Sequence, residues 1–111
     1  MARFLVLWRQ NPVAPRPTDP SEYLKMNEMM FAGVENLMKS GEVEEFGFFA
    51  DGRSGYAIGK GETLDAFRNV SMFLPFIHSE VHEIIPYKEG KETSIALMKT
   101  MIELTKKLTK K

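Results

Sequence analysis

The stretch Val43-Glu44-Glu45-Phe46-Gly47-Phe48-Phe49-Ala50, followed by Asp51-Gly52-Arg53-Ser54-Gly55 and Tyr56-Ala57-Ile58-Gly59-Lys60, decides how this chain is read. Two aromatic-rich runs joined by a short Asp-Gly segment predict an antiparallel hairpin. A helical signal stands on each side of it. Upstream, Asp19 is placed as an N-cap, Pro20 at the first helical position and Glu22 for a capping box. From there Tyr23, Met26, Met30, Val34 and Leu37 form one stripe, which Leu24, Phe31 and Met38 widen to nearly half the helix. Gly33 lies on that stripe. A mid-helix glycine costs about 1 kcal/mol against alanine, so it signals a close approach by another element. Gly41 suits the left-handed end of the helix. Downstream of the hairpin, Glu62 or Thr63 caps a shorter helix with Asp65 in its first turn. There Leu64, Phe67, Ser71 and Leu74 share a face, Val70 lies beside them, and Pro75 stops the helix.

Further out lie two more strands. Arg3 to Arg9 encloses five consecutive apolar residues, Phe4-Leu5-Val6-Leu7-Trp8, which predicts a central strand covered on both faces. Pro12, Pro15 and Pro17 make the following segment a stiff, extended connection. Phe76 to Pro86 alternates Ile77, Ser79, Val81, Glu83 and Ile85 against Phe76, His78, Glu80, His82 and Ile84, as a fourth strand does. Tyr87 to Thr93 reads as a charged loop containing Gly90. A third helix is expected from Ser94 to Leu108, with apolar seams Ile95/Met98/Ile102 and Leu97/Met101/Leu104/Leu108.

The order is β-α-β-β-α-β with one extra helix. Two split β-α-β units give an α+β, ferredoxin-like sandwich, a four-stranded antiparallel sheet with two helices on one face. One domain is expected over residues 1–111, with a core at 3–86 and a helical extension at 88–111. The first strand is too apolar and the second too phenylalanine-rich for a bare second face. A second subunit is the expected cover, hence a homodimer, with the third helix able to extend it to a higher oligomer.

Composition narrows the function. The 111 residues are 43% hydrophobic and 27% charged, with fifteen Lys plus Arg against fifteen Asp plus Glu. That neutrality argues against a dedicated nucleic-acid binder, which carries a basic excess. It is a sum of two opposed parts: residues 88–111 hold seven Lys and three Glu, a balance of +4, and the rest carries −4. The basic end is a plausible electrostatic partner for the acidic body of its own or a neighbouring subunit. With no cysteine there is no disulfide, thiolate metal site or thiol nucleophile. The first apolar run is too short for a signal-peptide core, and no stretch approaches the roughly 20 apolar residues of a membrane span. A soluble, cytoplasmic protein with neither nucleic acid nor membrane as partner is the expectation.

The segments Tyr56-Ala57-Ile58, Thr63-Leu64-Asp65-Ala66-Phe67 and Leu74-Pro75-Phe76-Ile77-His78-Ser79-Glu80-Val81-His82 resemble the C-terminal half of the muconolactone isomerase-like proteins, within the dimeric α+β barrel superfamily. The likeness covers residues 3 to 86 as a pattern, is motif-like from 74 to 82, and leaves 88 to 111 as an extension. It implies a dimeric barrel. Proteins of that fold include isomerases, cofactor-independent monooxygenases, haem-binding enzymes and proteins of no known activity, so fold alone does not choose the reaction.

His78, Glu80 and His82 are both histidines of the chain and a carboxylate, on one face of the last strand. An imidazole beside an orienting carboxylate suits acid–base chemistry. A shared metal is disfavoured, because at about 3.3 Å per residue the histidines stand roughly 13 Å apart, against metal–nitrogen bonds of about 2 Å. The same residues also suit a polar face that hydrogen-bonds across a subunit interface. Arg3 and Arg9 have the fork that anchors a small acid's carboxylate, and equally suit solvated strand ends. Tyr56 and Tyr23 can each present a phenol to a pocket or pack in the core. Trp8, Met26 and Met30 can line an apolar ligand pocket or serve as adaptable core. The run Glu45-Phe46-Gly47-Phe48-Phe49 invites comparison with RNA-recognition modules, but it lies on the second strand among glutamates. Whether the protein is an enzyme is left open; if it is, the resemblance and the histidine–carboxylate cluster imply metal-independent, isomerase-like proton transfer on a small organic acid or lactone, with no cofactor. Its alternative is a non-catalytic small-molecule-binding or oligomeric assembly module.

Overall fold

The computed structural model describes residues 2–109. Its elements are β1 (Ala2–Gln10), α1 (Pro20–Ser40), β2 (Val43–Phe48), β3 (Ser54–Gly61), α2 (Thr63–Ser71), β4 (Ile77–Ile84) and α3 (Tyr87–Thr109). The strands form one antiparallel sheet in the order β2-β3-β1-β4, so the chain is α+β with a topology compatible with a ferredoxin-like fold. β1 is central, as its unbroken apolar run predicts.

Local chemistry explains the element ends. Asp19 caps α1 by accepting from the Ser21 backbone N–H at 3.0 Å, with Pro20 in the first turn. The reciprocal capping box occurs at α2 instead, where Glu62 N–H donates to Asp65 Oδ2 at 2.9 Å. Gly41 closes α1 at φ 83°, and its N–H bonds to the Met38 carbonyl. In the hairpin turn, the Asp51 carboxylate accepts from the backbone N–H groups of Arg53 and Ser54 and from the Ser54 hydroxyl. These bonds favour the ionised carboxylate and hold Asp51 below the usual carboxylate range.

Packing follows the α1 stripe. Tyr23, Met26, Met30 and Val34 are half-buried and Leu37 is buried. Gly33 faces the Phe73 ring just beyond α2, but a methyl group there would lie 3.5 Å from it, an ordinary van der Waals contact, so the packing does not demand the glycine that the sequence led us to expect. Leu24, Phe31 and Met38, expected to widen the buried face, remain exposed. In α2 the expected face is turned outward, with Leu64 71% and Phe67 66% exposed. The inward series is Ala66, Asn69, Val70 and Phe73, which has helical spacing too. A helix of only nine residues accommodates either series, and the position of the sheet selects between them.

α3 corrects another expectation. It begins at Tyr87, so the segment through Thr93 is helix rather than loop, and Gly90 N–H bonds to the Pro86 carbonyl at 3.0 Å. One glycine's cost of about 1 kcal/mol is spread over 23 residues rich in helix formers.

Candidate functional site

Pairing register divides the sheet into two faces. Phe4, Val6 and Trp8 of β1 stand opposite Gly59, Ala57 and Gly55 of β3, on the side covered by helices. Leu5 and Leu7 stand opposite Ile58 and Tyr56, on the side without helices. β4 continues the division: Ser79 and Ile77 lie with Trp8 and Gln10, whereas His82, Glu80 and His78 lie with Leu5, Leu7 and Arg9.

Between the sheet and the helices lies an apolar cavity of about 130 Å³. Trp8 stacks on Phe46 with centroids 5.4 Å apart and planes 8° from parallel, and meets Phe48 edge-on at 5.4 Å. Phe31 extends the aromatic cluster across to α1, 6.1 Å from Phe48. Glycine makes room for this arrangement. At Gly55 a Cβ would sit 2.5 Å from the Trp8 ring and 2.1 Å from the Gly47 carbonyl oxygen, so no other residue fits without displacing one of them. The cavity's polar lining includes Gln10, Asn27, Asn69 and Ser79, with Glu42 and Lys60 charged. Glu42 is already engaged by Arg68 at 3.0 Å. Trp8 is 7% exposed, and its buried Nε1–H has no hydrogen-bond partner among the described residues. A buried donor left unpaired costs about 1–3 kcal/mol.

The residues singled out from the sequence therefore separate. Trp8 and Met30 line the cavity. His78, Glu80, His82, Arg3, Arg9 and Tyr56 share the open face. There His82 Nε2 lies 3.4 Å from Glu80 Oε2, each side chain 58% exposed. The Arg3 fork is taken by Glu44 at 2.9 Å, whereas Arg9 stands beside His78 in register. The Tyr56 hydroxyl donates to Glu45, and this bond holds its pKa above the ordinary phenol value. Phe46 and Phe48 face the helices, unlike aromatics arranged to stack bases on an open sheet. Among the described residues, no three His, Asp or Glu side chains are grouped to hold a metal ion, and no helix is long and apolar enough to cross a membrane.

Sequence reasoning passed over Asn27, Asn69 and Phe73. Their signal is nonetheless there. Asn27, Met30, Phe31 and Val34, like Ala66, Asn69, Val70 and Phe73, follow the i, i+3, i+4, i+7 spacing of one helix face. The asparagines interrupt the apolar pattern, and so read as surface. No protein-family model matches the chain, and no curated protein matches it.

Proposed function

We propose that the protein is a small-molecule-binding protein whose site is the cavity between the sheet and the helices. The observation that carries this reading is the cavity itself, apolar and aromatic-walled with a few polar groups, the usual composition of a ligand site. Its size sets the ligand class. An apolar cavity of about 150 Å³ takes benzene, so one small ring fits here. Asn27, Asn69, Gln10 and Ser79 line it and supply polar groups for one carbonyl or hydroxyl on that ring.

Trp8 is the single tryptophan of the chain, so its fluorescence reports on the cavity alone. Titration with benzaldehyde, phenol and benzoate, with short-chain acids as controls, is expected to give a saturable change for single-ring compounds. Val34→Phe, which fills the cavity, is expected to abolish it. No saturable change with any ring compound would end the reading.

A second reading is favoured by the His82–Glu80 pair and by the resemblance to muconolactone isomerase-like proteins. In it the open sheet faces of two copies pack as a dimeric barrel, enclosing the histidines and carboxylate. His78 or His82 then serves as base, Glu80 orients it, and Arg9 holds the charge of a small organic acid or lactone during proton transfer. Proton exchange into such an acid, followed by NMR, tests it. Activity surviving the double change His78→Ala and His82→Ala would rule out those roles.

A further inference from the structure

α3 projects from the body. Every one of its residues except Gly90 is exposed, and the described chain spans 77 Å in one direction against 30 and 26 Å in the others. The connection from β4 is only Ile85 and Pro86, and the helix is already bonded through the Pro86 carbonyl. Ile95, Leu97, Met98, Met101, Ile102, Leu104 and Leu108 all stand open to solvent. They occupy one half of the helix circumference, while Lys88, Glu92, Lys99, Glu103 and Lys106 occupy the other. A two-stranded coiled coil needs only a narrow apolar seam, whereas an apolar half-cylinder fits against a surface. Isolated helices gain little from propensity alone and most helical stability in proteins comes from packing such a face. Soluble proteins rarely leave so large an apolar patch uncovered.

We propose that α3 is an arm whose apolar half seats on the body of a second copy of this chain. Charge selects that occupant. The +4 of residues 88–111 meets the −4 of residues 1–87, whereas pairing two arms sets like-charged helices side by side, which disfavours it. The body carries apolar surface to match, the outward Leu64 and Phe67 of α2, with Glu62 next to them in the chain, while Asp65 is already paired with Arg68 at 3.1 Å. Seating is reciprocal, so two copies cover two arms under one two-fold axis. This contact is separate from pairing through the open sheet face and does not rest on it, nor on occupation of the cavity.

The exposure of Leu104 makes the test direct. A photo-reactive benzoylphenylalanine replaces Leu104 in the full chain, and isotope-labelled and unlabelled chains are mixed and irradiated. Crosslinks are expected to join residue 104 of one isotopic form to residues 2–84 of the other. Adding Met98→Glu and Met101→Glu, two exposed positions, is expected to cut their yield at least tenfold while the circular dichroism of the body is retained. Raising salt from about 0.1 M to 1 M, which shortens the screening length from about 10 to 3 Å, is expected to lower it several-fold. Crosslinks only within one isotopic form, only between arms, or only to added anionic phospholipid vesicles would each overturn the proposal. So would a yield indifferent to the two glutamates.

Discussion

Phe4, Val6 and Trp8 leave β1 on one side and Leu5 and Leu7 on the other, yet the two sets meet different fates. On the helix side, Phe4 and Trp8 are buried within the chain, beside Ala57 and beneath α1 and α2, with Val6 half-buried between them. On the open side, Leu5 and Leu7 are only half-buried, and their neighbours include Arg3, Arg9, Glu80 and His82. The contrast teaches that one face is covered by the chain's own elements and the other is not. Burial of a Trp or Leu side chain is worth a few kcal/mol only where water is excluded. Substitutions on the two faces should therefore act on different observables, one on folding and the other on association.

The largest effect is expected at the centre of the covered face. Trp8→Ala removes the ring that stacks on Phe46, and truncations of this kind cost about 3–5 kcal/mol, measurable by urea denaturation. A loss below 1 kcal/mol would mean the covered face is no better packed than the open one. Next is Gly55→Ala. Overpacking costs about 1–3 kcal/mol, and a contact of 2.1 Å with backbone places this change at the upper end. Its distinguishing mark is a shifted Trp8 emission, since the ring must move.

On the open face, Leu7→Glu, made in a chain whose arm contact is already removed by Met98→Glu and Met101→Glu, is expected to leave the monomer folded while reducing the mass seen by light scattering from dimer to monomer. An unchanged mass would break the comparison, because the open face would then need no partner.

The smallest effects concern pH. Asp65 is held below its ordinary value chiefly by the Glu62 backbone N–H, with Arg68 adding to it. Its contribution to α2 is present above the unfolded carboxylate pKa and fades as pH falls through the lower folded value. Tyr56 is shifted upward by Glu45, so its contribution holds below the ordinary phenol value and fades as pH rises through the higher folded one. Thermal melts are thus expected to decline slightly below about pH 4 and above about pH 10. Asp65→Asn should flatten the acid side and Tyr56→Phe the alkaline side.

Most of the framework was legible from local chemistry. The proline–aspartate start of α1, its stripe through Leu37, the Asp-Gly hairpin and the unbroken apolar β1 each follow from short-range geometry and periodicity. Gly33 was a weaker guide, because alanine would meet Phe73 there at an ordinary 3.5 Å. The candidate site was less legible. Trp8 and Met30 were recognisable as pocket residues, but Asn27 and Asn69 broke the apolar pattern that marks an inward face.

What the sequence alone determined, then, is the series of elements and the alternation of side chains along each strand, because both arise from interactions among residues close in the chain. Only the tertiary structure decided which face of α2 turns inward, that Trp8 and the histidines lie on opposite sides of one sheet, and that α3 stands apart from the body. The reason is physical. Each of those outcomes depends on where a distant element lies, and a periodic pattern specifies a face without specifying what that face will meet.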